Sequence, residues 1–302
     1  MSGNEALVSV CCLGYNHGKF IEKNVRSIWN QSYKNIEIIA VNDGSTDNSA
    51  EILDKLAEQS PFPMTVINQS NTGNIGKNLN RAIAKAKGAY LSIIAMDDEL
   101  YPDALESKLE RMVANPNIIF IANSQITGID NNNNVLNDYV PVMPLDEIEN
   151  PTAQDILDLE YRNSHSFYVQ GSLFRTDIVR KVGCFDEDMI GDDIVLRCKL
   201  CNFILQNPQF CFVIDHKPAC YYRIHENNIH KNSIRQLNSV VQVLNRFFSD
   251  KPYPKIIDKW YYSALRHSDF KSAKKLWNER NVSRYKWRFK TLRLLFKKYI
   301  EG

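Results

Sequence analysis

Three acidic groups stand where apolar runs of this chain break off. They are Asp43 in VNDGS, the adjacent pair Asp97 and Asp98 in AMDDE, and the adjacent pair Asp192 and Asp193 in GDDI. Neighbouring carboxylates repel, and at the end of a buried strand they are costly unless a cation, a hydrogen-bond network or water stabilises them. An all-oxygen set suits a hard divalent ion such as magnesium or manganese. A solvated turn accounts for an isolated Asp-Asp as well, and a helix N-terminus accounts for Asp192 and Asp193, because negative charge is stabilised there.

The elements that must carry these groups alternate. Leu7–Leu13 is an apolar run of strand length, followed by the turn-forming Gly14–Gly18 and then by Phe20, Ile21, Val25, Ile28 and Trp29 at near-helical spacing. Strands are expected at Ile36–Val41, Met64–Asn68 and Tyr90–Ala95, with helices at Ser49–Gln59 and Leu79–Lys87 between them. This is the pattern of an α/β chain with a doubly wound, mostly parallel sheet, which binds ligands at the carboxyl ends of its strands. Asp130–Asn134 reads as a hairpin tip or surface loop, and Pro141–Pro151 as a mobile connection. A strand at Tyr168–Phe174, helices at Thr176–Val182 and Ile194–Asn202, and late strands at Phe210–Ile214 and Ala219–Ile224 follow, with helix beyond about residue 227.

At 302 residues, 44% hydrophobic and 24% charged, the chain is ordinary for a globular protein with a sizeable core. Its net charge of +2 conceals an uneven distribution: residues 271–302 hold seven Lys, four Arg and two Glu, an excess of nine positive charges that leaves residues 1–270 net negative by seven. The seven cysteines are odd in number and lack the spacing of a disulfide framework, which fits a reducing compartment. Cys198 and Cys201 form a lone CxxC; a zinc site with Cys211 and Cys220 would lack a second CxxC or HxxxH, and buried small apolar residues are the simpler account. No apolar run approaches the roughly 18 residues that span a bilayer, and too little precedes Leu7 for a signal peptide, so a cytoplasmic protein is expected. No GxGxxG follows the first strand, which argues against a dinucleotide oxidoreductase.

Several motifs in order resemble the family 2 glycosyltransferases of the GT-A fold: VSVCCLGYNHGKFIEKNVRSIWNQSYKNIEIIAVNDGSTDNS, NTGNIGKNLNRAIAKAKGAYLSIIAMDDELYPDAL, GSLFRTDIVRKVGCFDEDMIGDD and YYRIHENN. The resemblance covers about residues 7–228. It implies a Rossmann-like GT-A domain over 1–228, with a nucleotide half of about 1–125 and an acceptor half of about 126–228, followed by a helical, basic C-terminal extension at 229–302.

The resemblance also implies roles. Tyr15 lies in the loop that cups the nucleotide base, Asp43 matches the acid that hydrogen-bonds a uracil, and Ser45 supports that turn. Asp98 matches the direct metal ligand, with Asp97 beside it toward the ribose or the same metal, and His225 matches a histidine that approaches the metal and diphosphate. Asp193, six residues before Lys199, matches the general base, with Asp192 as the alternate. Arg223, Lys77 and Arg81 are weaker phosphate or ribose candidates. Ala95 and Asn42 stand where many relatives have Asp, which bears on the number of carboxylate ligands.

The implied activity is inverting, metal-dependent transfer, with Mn2+ or Mg2+, from a nucleotide sugar, expected to be UDP-linked, to a hydroxyl of a glycan or lipid-linked glycan, giving a β linkage. The sequence's Asn-rich, low-Gly format suggests bacterial surface-polysaccharide synthesis, such as O-antigen or capsule. Alternatives are transfer to a polyprenyl phosphate, and a catalytically silent nucleotide-binding scaffold suggested by Ala95. The segment 284–302, RYKWRFKTLRLLFKKYIEG, interleaves basic and aromatic residues and reads as an interfacial helix for an anionic membrane surface on the cytoplasmic side, or as a helix docked on its own protein. Nucleic acid is not an expected partner, since the body of the chain is acidic and carries no binding motif.

Overall fold

A computed structural model describes residues 6–137, 143–226, 228 and 232–267. Its first strand, β1 (Val8–Gly14), lies between β2 (Ile36–Asn42) and β4 (Tyr90–Ala95) and runs parallel to both, Val8 facing Ile36 on one side and Tyr90 on the other. Covered on both faces, these strands have no polar alternation: Val8, Val10, Cys11, Cys12, Ile38 and Ala40 are fully buried. Burial pushes the Cys12 thiol up to about 12 and makes it inert.

Each crossover helix supplies an apolar stripe. In α1 (Gly18–Trp29) it is Ile21, Val25 and Ile28, in α2 (Ser49–Gln59) Leu53 and Leu56, and in α3 (Ile75–Lys85) Leu79, Ala82 and Ile83. Asn74 caps α3 by accepting the backbone N–H of Lys77 at 2.8 Å, so the helix starts four residues before the expected Leu79. β3 (Met64–Asn68) pairs with the outer side of β2.

Beyond β4 the chain forms β5 (Glu99–Leu100), α4 (Glu106–Ala114), β6 (Ile118–Asn123) and β7 (Thr127–Ile129). Next come α5 (Ala153–Asn163), β8 (Tyr168–Arg175), α6 (Thr176–Lys181), α7 (Asp192–Gln206), β9 (Cys211–Asp215) and β10 (Cys220–Arg223). The main sheet has the order β3-β2-β1-β4-β8-β6-β9, and β5, β10 and β7 form a second, three-stranded sheet. β8 is antiparallel to both β4 and β6. Its amino end therefore lies at the same edge as the carboxyl ends of β1, β2, β4 and β6. The described part of the expected mobile connection contains a 3-10 turn, Pro144–Glu147, with Leu145 buried.

Two compact units divide the chain, Met1–Glu160 with Ser164–His225, and Tyr161–Asn163 with Glu226–Gly302. Within the second, α8 (Ser233–Phe247) buries Leu237, Val240, Val243 and Leu244, and α9 (Ile256–His267) follows. No described helix is long and apolar enough to cross a membrane. The basic segment 284–302 lies outside the described residues.

Candidate active site

The carboxyl edge of the main sheet carries three polar constructions. The first surrounds Asp43, just past β2. Its Oδ1 accepts the Thr72 N–H at 2.8 Å, the Gln69 amide at 2.8 Å and the Thr72 hydroxyl at 3.1 Å, while Oδ2 accepts the Gly73 N–H at 3.2 Å. Burial would raise its carboxyl, but the hydrogen bonds from Thr72 and Gln69 hold it below the usual range. Asp43 is thus a fixed anion with limited exposure. Gly44 next to it has φ +69°, and a Cβ there would lie 2.2 Å from the Asn71 nitrogen, so glycine is required on both counts.

The neighbouring loop is tied to this turn. Asn16, itself left-handed with φ 57°, donates its N–H to Ser45 Oγ at 2.8 Å, and its side-chain oxygen accepts the Thr46 N–H at 2.8 Å. Ser45 in turn bonds Asn42 Oδ1. Asn42 reaches on to Asn68 at 3.0 Å, a bridging role that uses both ends of an amide. Tyr15, next to Asn16 on this loop, is a large ring at 45% exposure. Arg81 hydrogen-bonds Gln69, which in turn donates to Asp43, while the Lys77 backbone N–H bonds Asn74 at the cap of α3.

The second construction follows β4. Asn24 holds the turn by donating to Ala95 O at 2.9 Å and Asp98 O at 2.7 Å. From there the two acids diverge. Asp98 points inward, 1% exposed, and its Oδ1 accepts the Arg223 N–H at 2.7 Å; a Gln170 side-chain hydrogen bond also stabilises its charge. Burial and the adjacent Asp97 nevertheless push its carboxyl well above the usual range. Asp97 points the other way, its Oδ2 2.9 Å from His225 Nε2 and its Oδ1 3.7 Å from His17 Nδ1. Burial opposes its charge, but His225 and His17 hold it below the usual range.

His17, Asp97 and His225 offer ligand atoms that all lie within 4.8 Å of one another, and they are the one such group of three among the described residues. His17 Nδ1 is buried without a hydrogen-bond partner, and burial, opposed by Asp97, lowers the proton affinity of the ring. The scattered cysteines form no comparable cluster among the described residues, and all seven are free.

The two neighbouring carboxylates are placed differently. Asp98, matched to the metal, is turned into the protein to anchor β10, and Asp97 reaches the histidines. Arg223 also differs from the phosphate candidate. It is fully buried against the Phe20 ring at 4.6 Å, and its guanidinium donates to Asp97 O at 2.8 Å, Asp130 O at 2.6 Å and Glu99 at 2.7 Å. It is a clamp that fixes the Asp97 turn. His17 is the residue that sequence reasoning missed; its only signal was a histidine in the first loop, YNHGK, of unassigned use.

The third construction is the start of α7, where Asp192 and Asp193 occupy the first turn. Lys199 is engaged elsewhere, with Asp186 at 2.5 Å and the carbonyls of Gly183 and Cys184. The cation beside Asp193 is Arg197, one turn on, at 3.8 Å from Oδ2. Arg197 also donates at 3.0 Å to the carbonyl of Phe167, next to the amino end of β8, which sets this helix start at the functional edge. Burial, then Asp192, push the Asp193 carboxyl up to about 7. The edge thus carries a fixed anion at Asp43, the His17–Asp97–His225 group, and an acidic helix start in which Asp193 has raised proton affinity.

A sequence profile of glycosyl transferase family 2 matches residues 9–183. The glycosyltransferase GlyG of Streptococcus pneumoniae is 40% identical over 106 residues, a match that takes in 35% of this chain and 35% of that relative. In three dimensions the chain is similar to S. aureus TarS 1–349 in complex with UDP-GlcNAc, with TM-score 0.60, 16% identity, and 88% and 82% of the two chains covered. It is similar also to a mannosyltransferase from Pyrobaculum calidifontis in complex with GDP-Man and Mn2+, with TM-score 0.57, 16% identity, and 97% and 86% covered.

Proposed function

Because this chain belongs to glycosyltransferase family 2 and has its GT-A fold, we propose that it transfers a sugar from a nucleotide donor, UDP-linked in our reading, to an acceptor hydroxyl with inversion, giving a β linkage. The observation that carries the reading is the meeting of three parts at one sheet edge: the Asp43 recess, the His17–Asp97–His225 cluster and the start of α7. Chemistry supports a donor whose base carries a ring N–H. Asp43 is ionised and rigid, so it accepts a ring N–H, and Tyr15 gives the base a face to stack on. TarS was solved with a UDP-sugar and the mannosyltransferase with a GDP-sugar, and both bases offer such an N–H.

The orphaned Nδ1 of His17 and the carboxylate of Asp97 fit a divalent cation, which His17, Asp97 and His225 would hold. Bound there, the ion supplies positive charge against the diphosphate as the glycosidic bond breaks. Asp193 takes the proton of the attacking hydroxyl, and attack on the face opposite the departing diphosphate inverts the anomeric centre. A polyprenyl phosphate is already ionised and needs no base, so a carboxylate with raised proton affinity favours a hydroxyl acceptor.

We place the acceptor among glycans or lipid-linked glycans, with residues 126–228 forming its half of the site. The basic segment 284–302 would rest on an anionic membrane surface on the cytoplasmic side. The test is nucleotide release from a panel of UDP- and GDP-sugars, with Mn2+, with Mg2+ and with excess chelator. Release from no donor sinks the enzymatic reading, and equal release in chelator sinks the cation.

A further inference from the structure

The acceptor proton goes to Asp193, yet a costly charge pair lies directly beneath it. Glu160 on α5 is fully buried, and Arg197 on α7 is 2% exposed. Arg197 grips Glu160 with Nε at 2.7 Å from Oε1 and NH2 at 3.2 Å from Oε2. Its NH1 donates to the Phe167 carbonyl at 3.0 Å, and its guanidinium lies 5.6 Å from the Phe167 ring centre. Ser166 Oγ donates to the same Glu160 Oε1. One helical turn away, Asp193 Oδ2 is 3.8 Å from NH1. Burying an ion pair contributes little to stability, because desolvation offsets the attraction and apolar side chains of the same volume pack as well. Two acids here share one guanidinium, and only one of them opens to the cleft: the Asp193 side chain is 42% exposed and that of Glu160 is 0% exposed.

We propose that Glu160 and Arg197 are positioning residues for the general base, Arg197 fixing the Asp193 carboxylate at the helix mouth while Glu160, by occupying the guanidinium fork, limits how strongly that cation acidifies it. The inference rests on Asp193 being the base. A carboxylate paired one-to-one with arginine is a poor proton acceptor at neutral pH, whereas one that receives only the remainder of a shared cation keeps proton affinity. Among the described residues the charged groups acting on Asp193 are Asp192 beside it, Arg197 one turn along α7, and Glu160 from α5. After burial and Asp192, which raise its carboxyl, Arg197 lowers it and Glu160 raises it, and the open side of the side chain lets water soften all of these effects.

The consequence is a pair of opposite shifts. With saturating donor and Mn2+, the transfer rate falls on the acid side as Asp193 protonates, so the acid limb reports its proton affinity. Glu160→Gln keeps one acceptor oxygen for Arg197 Nε and Ser166 Oγ, leaves Arg197 NH2 facing an amide N–H, and removes the competing charge, so the limb moves to lower pH by at least ~0.5 unit, the effect of one charge within about 10 Å in a partly wet site. Arg197→Met removes the cation and moves the limb to higher pH. Because that variant strands Glu160 without a counter-charge, the double variant Glu160→Gln/Arg197→Met is measured beside it, and its limb falls between those of the single variants. A merely structural pair gives shifts of one sign, or none, with rates tracking thermal stability, and that result overturns the proposal. Asp193→Asn separates the two readings: if it abolishes transfer while the limbs stay fixed, the base stands and the positioning role falls, and if it leaves transfer intact, both fall.

Discussion

Two adjacent carboxylates should fail in opposite ways when each is made an amide. Asp97→Asn keeps the size of the side chain but removes the one anion from the His17–Asp97–His225 cluster. The contacts that hold the turn do not use that anion: they come from the Asp97 carbonyl, through Arg223 at 2.8 Å, and from Asn24. The melting temperature should stay within about 1 °C, while Mn2+ affinity drops by at least ~10²-fold, because even partners of ligating groups cost 10- to 100-fold. Asp98→Asn behaves differently. Its Oδ1 can still accept the Arg223 N–H, but the new amide nitrogen faces the Gln170 amide, whose own oxygen is occupied by the Ala95 N–H at 2.9 Å. Two donors then meet in a site 1% exposed, at a cost of about 1–3 kcal/mol, which lowers the melting temperature by roughly 2–12 °C for a domain of this size. Calorimetric titration with Mn2+ alone and thermal melting of both variants decide it. If Asp98→Asn loses the ion at unchanged melting temperature while Asp97→Asn retains it, the inward and outward assignments are reversed and the reasoning fails.

Asp193→Asn should lower transfer by about 10²-fold or more with donor affinity intact, and Asp192→Asn far less; the reverse order would show that the base is the other acid. His17→Ala should weaken Mn2+ binding measured by electron paramagnetic resonance without lowering the melting temperature, and unchanged binding would leave the ion on two side chains only. Asp43→Asn turns an acceptor of four hydrogen bonds into a half-donor, so UDP affinity by calorimetry should fall by about tenfold or more, and an unaltered affinity would remove Asp43 from base recognition. Deleting residues 284–302 should abolish salt-sensitive sedimentation with anionic liposomes yet spare transfer to a short soluble acceptor. Loss of soluble activity would place that segment against the protein instead.

The parallel half of the sheet was legible because β1, β2 and β4 are continuous apolar runs that stop at polar turns, and burial on both faces demands that composition. Residues 153–163 raised no expectation: charges at Asp155, Asp158, Glu160 and Arg162 crowd a stripe that buries only Ala153, Ile156, Leu157 and Glu160. That silence hid Glu160. β6, Ile118–Asn123, carries as strong an apolar signal as β1, but neither its pairing with β8 nor the antiparallel direction of β8 follows from local pattern, since both depend on contacts about fifty residues apart. The acids were legible as a set, through their place at strand and helix ends. Which of Asp97 and Asp98 faces outward was not, because that depends on Arg223, which donates its N–H to Asp98 from 125 positions later. Lys199 drew attention by spacing, yet the turn of α7 gives Asp193 to Arg197, four residues on and on the same face.

The insertion of β8 between β4 and β6 has a consequence for how the protein is made. β1, β2, β3 and β4 are complete once residue 95 has left the ribosome, but the strand that covers the free edge of β4 ends at residue 175. At ordinary bacterial-to-eukaryotic elongation rates of about 5–20 residues per second, the eighty residues between them take roughly 4–16 s to synthesise. Throughout that interval the nascent sheet presents the apolar edge YLSIIA with its backbone donors and acceptors unpaired, the kind of edge that recruits a neighbouring chain. β6, emerging first, is the nearest competitor for that edge, and it must be displaced or held off until β8 arrives. Crowded translation on one messenger would therefore favour aggregation, and slow codons after residue 123 would prolong the exposure, whereas a chaperone that holds the chain between residues 95 and 175 would shield it.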